Sequence, residues 1–364
     1  MDKIFEELFQ DCTRFGTKIL KEQYLAFGKY PIVDQGQSYI AGYTNTNDGL
    51  YNDVPAIVFG DHTRIVKYVD VPFFLGADGV KLLKVRYPRA NVKYFYYALS
   101  AAHIPDTGYN RHFKWLKDLV FNYPSSEEQS KVVAVLDKTR ILIFLHERQL
   151  EQLDLMVKSR FVEMFGDSTV NDKGWKIKRL DEIATTRLGK MLDAKKKTGE
   201  NTYPYLANFN VQWFRFGLEK LNTMDFDEAD RAAFALRYGD LLVCEGGEVG
   251  RTAIWKNELE NCFFQKALHR VRCNPDICIP EYLAGVMYHK ATETNFDGLV
   301  TSATIAHLTG VKLRSMKIPL PPLSLQNRFA AFAEAADKSK FEVQKGLDKT
   351  RLLYDSLISE YFAY

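Results

Sequence analysis

A helical segment of about forty residues occurs twice in this chain, and the second copy lies 197 residues after the first. The register holds without insertion from Pro124 to Phe165 and from Pro321 to Phe362. Identical residues at matching positions are Pro124 and Pro321, Gln129 and Gln326, Phe144 and Phe341, Leu150 and Leu347, Leu155 and Leu352, Ser159 and Ser356, Glu163 and Glu360, and Phe165 and Phe362. A match this long predicts an internal duplication.

Each copy is predicted to be one long helix that packs against a second helix. In the first copy, mostly apolar residues recur at three- and four-residue spacing and form a seam, as in a helix with one buried face. Acidic residues suit its first turn and Gly166 suits its end. We expect the two copies to pair as a coiled coil, with Gly346 allowing close approach of the other helix. The seam residues are Val132, Leu136, Thr139, Ile143, His146, Leu150, Leu153 and Val157.

Two mixed domains are predicted to precede the two helices, so the fold class is α+β. The domain boundaries are 1–124 and 166–324, and the helices occupy 125–165 and 325–364. The second domain repeats the order of elements of the first. The predicted elements are an amphipathic helix at Ile4–Phe9, strands at Tyr30–Val33, Ala56–Gly60, Arg64–Val69, Val80–Val85, Leu119–Tyr123, Leu241–Gly246 and Ala267–Cys273, and helices at Val92–Ala102 and from Pro280.

Charge and cysteine usage narrow the class of protein. A net charge of +3 does not by itself indicate nucleic acid, although a basic face can lie within a balanced total. The five cysteines are odd in number and lack CxxC spacing, which indicates reduced thiols. Apolar runs such as Ile141–Leu145 are far shorter than the roughly 18 residues that span a bilayer, and no signal-peptide pattern opens the chain. We expect a cytoplasmic protein.

The two long helices are balanced in charge. Between Ser125 and Phe165 there are seven acidic and six basic residues, and from Leu325 to Tyr364 there are six of each. A helix lying along DNA would carry excess Lys and Arg to neutralise phosphates. We therefore expect the helices to face protein and to act as spacers.

No motif for catalysis or metal binding emerges. The seven histidines lack paired metal-ligand spacing. Gly246–Thr252 has the glycines of a phosphate loop without the lysine of GxxxxGK(S/T), so we interpret it as a turn between strands that exposes Arg251. The sequence predicts a chain without catalytic residues, cofactor or metal.

Basic and polar loops at corresponding places in both domains are the candidates for DNA binding. Arg and Lys bind phosphates or guanine, and Asn and Gln suit adenine. For any single residue a solvated surface role is the alternative, and the repeated placement carries the hypothesis. Lys195–Lys197 is interpreted as a loop edge that touches the DNA backbone. The candidates are Gln35, Gln37, His62, Arg64, Lys67, Lys81, Tyr109, Asn110, Arg111, His112, Lys114, Arg187, Lys190, Arg251, Lys266, His269, Ser302, Thr304 and His307.

Several stretches, in this order and doubled, make the chain resemble the DNA specificity (S) subunits of type I restriction-modification systems over essentially its full length. They are Lys29–Gln37, Tyr39–Thr44, Ile57–Arg64, Gly76–Lys81, Gly108–Lys114, Glu128-Gln129 and Phe161–Asp167, then Trp175–Ile183, Gly239–Leu242, Gly247–Arg251 and Ile318–Leu323. The second helix departs from the pattern, with Leu325-Gln326 where Glu128-Gln129 stand in the first.

The resemblance implies two target recognition domains, each reading one half of a bipartite DNA site. Two antiparallel helices would hold them apart and dock two methyltransferase subunits. It also implies that S-adenosylmethionine, ATP and Mg²⁺ serve partner subunits, including the restriction subunits, and that this chain is not an enzyme by itself. The alternatives are a specificity subunit of a type II enzyme and a coiled-coil adaptor that does not bind DNA.

Overall fold

The computed structural model of the chain describes residues 2–76, 79–108, 110–191, 199–294, 296, 299 and 307–362. Contacts divide the chain into two units. The first is Met1–Arg148 with Gln344–Tyr364, and the second is Gln149–Val343. Both contain helices and strands, so the fold is α+β as predicted.

The helices and strands in the described residues are as follows. The strands are β1 (Asp2–Ile4), β2 (Phe9–Asp11), β3 (Tyr30–Val33), β4 (Gly42–Thr44), β5 (Ala56–Gly60), β6 (Val66–Val69), β7 (Phe74–Leu75), β8 (Val80–Val85), β9 (Val120–Asn122), β10 (Lys176–Arg179), β11 (Ala184–Leu188), β12 (Thr202–Leu206), β13 (Val211–Gln212), β14 (Arg215–Phe216), β15 (Asn222–Asp225), β16 (Leu241–Cys244), β17 (Thr252–Ile254), β18 (Phe263–Phe264), β19 (Leu268–Cys273) and β20 (Lys317–Leu320). The helices are α1 (Phe5–Leu8), α2 (Val92–Ala101), α3 (Phe113–Leu116), α4 (Ser126–Phe165), α5 (Leu180–Ile183), α6 (Glu228–Phe234), α7 (Pro280–Thr294), α8 (Gly310–Ser315) and α9 (Leu323–Phe362).

The first unit is built on a four-stranded antiparallel sheet in the order β2-β8-β5-β6. A second sheet has the order β4-β3-β7, in which β3 and β7 are parallel, and β1 pairs with β9. Every residue of β5 is buried. A short run of this kind, without alternation, is typical of a strand with both faces covered.

The second unit has sheets of the same order. Its four-stranded antiparallel sheet is β11-β19-β16-β17, its three-stranded sheet is β15-β12-β18 with β12 and β18 parallel, and β10 pairs with β20. The fully buried strand β16 corresponds to β5. The hairpin of β13 and β14 is an addition.

Helix packing closes the core of each unit. In the first, α2 buries Tyr94, Phe95 and Tyr97. In the second, α7 packs beside the end of α4, where a Cβ at Gly285 would lie 2.4 Å from the ring of Phe161. A larger residue at position 285 would therefore force these two helices apart.

The two long helices begin differently. At α4, Ser125 and Glu128 form a capping box: the Ser125 N–H donates to Glu128 Oε2 at 2.9 Å, and the Glu128 N–H donates to Ser125 Oγ at 3.3 Å. At α9, the N–H groups of Leu325 and Gln326 donate to the carbonyl of Pro322. A capping box thus supports the first helix start and is not repeated at the second.

Gly166 ends α4 with a φ of +74°, a left-handed conformation that favours glycine. The long helices predicted at 125–165 and 325–364 lie at Ser126–Phe165 and Leu323–Phe362. The seam residues named above are buried or half-buried. The expectation for Gly346 is also confirmed, because a Cβ there would lie 3.3 Å from Nε2 of His146 on the other helix.

Two local predictions had the wrong bounds. The segment Ile4–Phe9 was expected to be helical, but only Phe5–Leu8 is, because Asp2–Ile4 pairs with Val120–Asn122 and Phe9 begins β2. The strand expected from Arg64 begins at Val66, since Arg64 has a φ of +61° and lies in a turn. Pairing partners and backbone handedness outweighed the local pattern at these places.

Candidate nucleic-acid interface

The turn after β5 and the loop before α3 are joined by Asp61, which is buried. Its Oδ1 accepts from the N–H of Phe113 at 2.7 Å, and its carbonyl accepts from the N–H of His112 at 2.8 Å. The ring of His112, which has no exposed surface, contacts the Asp61 carbonyl through Nδ1 at 3.0 Å and Thr107 Oγ1 through Nε2 at 3.4 Å. His112 therefore supports the loop from within.

The segment after β3 joins the same cluster. Gln35 Oε1 accepts from the N–H of His62 at 3.2 Å, and the Gln35 carbonyl accepts from Thr63 Oγ1 at 2.7 Å. Nδ1 of His62 lies 3.1 Å from the carbonyl of Asn110. Three chain segments that are far apart in sequence thus meet in the first unit.

Arg64 is held in this cluster in the left-handed conformation. Its guanidinium pairs with Asp106 at 2.7 Å and donates to the carbonyl of Ile104 at 3.2 Å. Positive φ costs free energy for a residue with a side chain, and such strain is often found at functional turns. The two contacts offset that cost and orient the turn.

Two predicted lysines of the first unit are engaged by protein groups. Lys67 is buried, donates to the carbonyl of Ser38 at 2.6 Å and lies 3.5 Å from Asp34; burial lowers the pKa of its ammonium and Asp34 opposes this. Lys81 pairs with Asp11 at 3.0 Å and lies over the ring of Phe113. The exposed candidates of this unit are Gln37, Asn110, Arg111 and Lys114.

The second unit uses the same backbone connection. The N–H of Leu308 donates to the carbonyl of Glu245 at 2.8 Å, as His112 does to Asp61 in the first unit. The turn after β16 does not expose Arg251 as expected. The Arg251 guanidinium donates to the carbonyl of Asn208 and pairs with Glu248 at 2.9 Å, and its side chain is 15% exposed.

Of the other candidates in the second unit, some are buried or bonded to protein groups and some are exposed to solvent. Lys190 pairs with Asp230 and donates to the carbonyl of Asp225. His269 is buried in β19, and its Nε2 has no hydrogen-bond partner among the described residues. The exposed candidates are Arg187, Lys266 and His307. The predictions for Tyr109, Lys195–Lys197, Ser302 and Thr304 lie outside the described residues.

Sequence reasoning missed Arg14 as a candidate. Thr13-Arg14-Phe15-Gly16 follows β2, and Thr186-Arg187-Leu188-Gly189 forms the end and exit of β11, which occupies the matching place in its sheet. Both arginines are exposed, and each glycine lies where a Cβ would collide, 2.4 Å from Leu75 or 2.3 Å from the carbonyl of Gln265. The shared Thr-Arg-apolar-Gly pattern is the signal that would have found Arg14.

No group of three or more His, Cys, Asp or Glu side chains in the described ranges is arranged to hold a metal ion. None of the helices in the described part of the chain is both long and apolar enough to cross a bilayer.

The pKa of His269 leads to a pH prediction. Burial, reinforced by the Arg314 cation and opposed by a hydrogen bond to the Leu308 backbone, lowers this pKa to about 4. The unfolded value is about 6.5, so the folded state binds fewer protons between the two values. The free energy of unfolding should be fully retained above about pH 6.5 and should fall by roughly 3 kcal/mol as the pH drops towards 4.

Urea unfolding across this pH range checks the prediction by comparing the chain with His269→Phe. The loss attributable to His269 should be absent from the variant. Coincident pH dependence of the two proteins would contradict the assignment.

Comparison with known proteins defines the class. Residues 172–350 match the family described as Type I restriction modification DNA specificity domain. A type I restriction enzyme specificity subunit of Escherichia coli is 22% identical over 344 residues, which cover 88% of this chain and 82% of the relative. A putative type I restriction enzyme specificity subunit of Haemophilus influenzae is 21% identical over 239 residues, covering 64% of this chain and 59% of the relative.

Solved structures share the fold. The S subunit of a type I restriction-modification system from M. genitalium aligns with 100% of this chain and 96% of its own, at a TM-score of 0.59 and 17% identity. A second solved structure, described as the structural basis of complex assembly and conformational transition of the type I R-M system, also aligns. The alignment covers 100% of this chain and 97% of that chain, at a TM-score of 0.59 and 15% sequence identity. Together these comparisons indicate a type I restriction-modification DNA specificity subunit.

Proposed function

We propose that the two units are two target recognition domains and that each reads one half of a bipartite DNA site. The observation that carries this proposal is that the two units share one backbone arrangement but expose different side chains around it. Both units have the same sheet order and the same backbone bond behind the loop, His112 to Asp61 and Leu308 to Glu245. The exposed residues around that frame differ, as required for reading two different sequences.

The long helices act as protein-facing spacers in a coiled coil. Each is 40 residues long, or about 60 Å at 1.5 Å per residue. Their balanced charge argues against a role along DNA. Ion pairs support antiparallel pairing inside each unit: Arg351 with Glu147 at 2.7 Å in the first, and Lys340 with Asp154 at 2.6 Å in the second.

The helices also dock two methyltransferase subunits, one on each unit. In the first unit the exposed apolar residues include Phe144, Leu352 and Leu353, and their repeat equivalents in the second are Phe341, Leu155 and Met156. These six side chains are between 44% and 69% exposed. Large apolar side chains that are exposed to solvent are typical of protein-binding surfaces. Because they lie at matching positions in the two units, we expect two copies of one partner to bind them.

The chain supplies recognition and no catalysis in this proposal. S-adenosylmethionine, ATP and Mg²⁺ bind the methyltransferase and restriction subunits, and the complex works in the cytoplasm. A type II enzyme with similar recognition domains would differ in its partners.

Selection from a random duplex DNA library tests the proposal, with the methyltransferase subunit present. Enrichment of two short motifs at one fixed separation supports a bipartite reader. Enrichment of no sequence contradicts it and favours the coiled-coil adaptor. Binding should weaken steeply with salt, because phosphate contacts release counterions.

Replacing the exposed Arg111 with alanine should weaken recognition of one half-site. The expected loss is about 1–3 kcal/mol of binding free energy if the guanidinium contacts a base. The second half-site is the internal control, since its preferences should not change. Library selection with the variant measures both halves together, and an unchanged preference at both would refute the assignment.

A further inference from the structure

Two buried glutamines, one in the first turn of each long helix, make corresponding hydrogen bonds, and the second glutamine makes one more. In the first unit Oε1 of Gln129 accepts from the N–H of Asn91 at 2.8 Å. Its Nε2 donates to the carbonyl of Pro124 at 2.9 Å. Gln129 has no exposed surface. One side chain thus joins the segment before α4 to the segment before α2.

The arrangement recurs in the second unit around Gln326, which is also fully buried. Its Oε1 accepts from the N–H of Ile279 at 3.1 Å. Its Nε2 donates to the carbonyls of Pro321 at 2.9 Å and Ile277 at 3.1 Å. Here the side chain joins the segment before α9 to the segment before α7.

The backbone groups that these glutamines bind lie at helix starts. Asn91 is the N-cap of α2, and Ile279 directly precedes Pro280, the first residue of α7. Both α2 and α7 pack on the strands of their own unit. Each glutamine is therefore a buried polar link between a long helix and the start of the helix that covers a recognition sheet, and in the first unit the Lys93–Asp137 pair adds a second link farther along the two helices.

The chemistry requires an amide at these positions. A glutamine presents an acceptor and a donor together, whereas an apolar residue of similar size would leave a buried N–H and a buried carbonyl without partners. Capping the start of a long helix does not explain why the glutamine contacts occur in both units. The Ser125–Glu128 capping box is absent from the second helix, yet the glutamine contacts remain.

We propose that Gln129 and Gln326 are positioning residues that set the angle between each recognition domain and its long helix. They thereby determine which separation of the two DNA half-sites the protein accepts. This inference rests on the proposed function, because it assumes a bipartite DNA site.

The test uses the full chain assembled with methyltransferase subunits, and DNA duplexes whose half-sites are separated by the preferred spacer or by one base pair more or less. The variants are Gln129→Met and Gln326→Met, with Gln152→Met, exposed on α4, as the matched control. Methylation at the altered spacings, relative to the preferred one, should rise about tenfold in each buried-site variant and stay unchanged in the control. The half-site sequence preferences should not change.

Gln129→Glu provides a second variant, whose carboxylate retains the acceptor for Asn91 but faces the carbonyl of Pro124 without a donor. It should relax spacer selectivity at least as much as Gln129→Met does, because its charge is also buried. Wild-type spacer selectivity in every variant, together with lower stability to urea, would overturn the inference and leave the glutamines a purely stabilising role. If wild-type complexes methylate no bipartite site at any spacing, the proposed function fails and this inference fails with it.

Discussion

Replacing Asp240 with alanine is expected to lower the free energy of unfolding of the second unit by about 3 kcal/mol. Asp240 is 1% exposed, and its carboxylate accepts from Nε and Nη2 of Arg272 at 2.6 and 2.7 Å. It also accepts from the N–H of Arg237 at 2.8 Å. The hydrogen bond to Asp240 raises the pKa of Arg272. The substitution removes all three bonds at the start of the central strand β16.

Asp181→Ala is the matched control for this prediction. Asp181 binds Arg179 through the same two nitrogens, at 3.0 and 2.6 Å, but on the surface of the same unit. Solvent replaces an exposed ion pair with little net change, so this variant should unfold almost as the wild type does. Urea denaturation of both variants measures the difference. Similar losses would show that burial is not what makes the Asp240 pair important.

Phe144→Asp and Phe341→Asp together are expected to weaken methyltransferase binding about a hundredfold or more. Aromatic side chains at the centre of interfaces are frequent hot spots, and a carboxylate in their place would be buried without a partner. Each single variant should lose one of two bound copies, because each phenylalanine lies on a different unit. Analytical ultracentrifugation of the purified subunits measures the stoichiometry.

Leu20→Asp is the control for this pair, because Leu20 is as exposed as the phenylalanines but lies in a loop outside the long helices. It should bind two methyltransferase copies. Thermal unfolding of the phenylalanine variants should stay near the wild-type value, since neither side chain is in a core. Two bound copies in the double variant would show that the docking surface lies elsewhere.

Much of the secondary structure was predictable because it depends on short-range chemistry. The long helices follow from apolar spacing and from Gly166 at the end of the first. Strands such as β5 and β8 follow from short apolar runs. The bounds of the N-terminal helix were wrong because its flanking residues pair with strands, and the partner of Asp2–Ile4 lies more than a hundred residues away, at Val120–Asn122.

The candidate interface was predictable as a set of loops and not as a set of side chains. The loops that contain Gln35, His62 and Asn110 meet in the structure, and their contact with DNA stays a prediction. Composition could not distinguish a basic residue that faces solvent from one that holds a loop. Arg111 is exposed, whereas its neighbour His112 is enclosed by Asp61 and Thr107.

The sequence by itself determined the two long helices, the matching positions of their residues and the candidate family, because a forty-residue repeat and helical spacing depend only on residue order. Only the tertiary structure decided which polar residues are enclosed and what they bind. The sequence shows Gln129 and Gln326 only as identical residues at matching positions. Their role as links depends on backbone groups some forty to fifty residues away. Hydrogen bonds across such distances are set by the folded chain, since no local pattern records which N–H or carbonyl will lie opposite a buried amide.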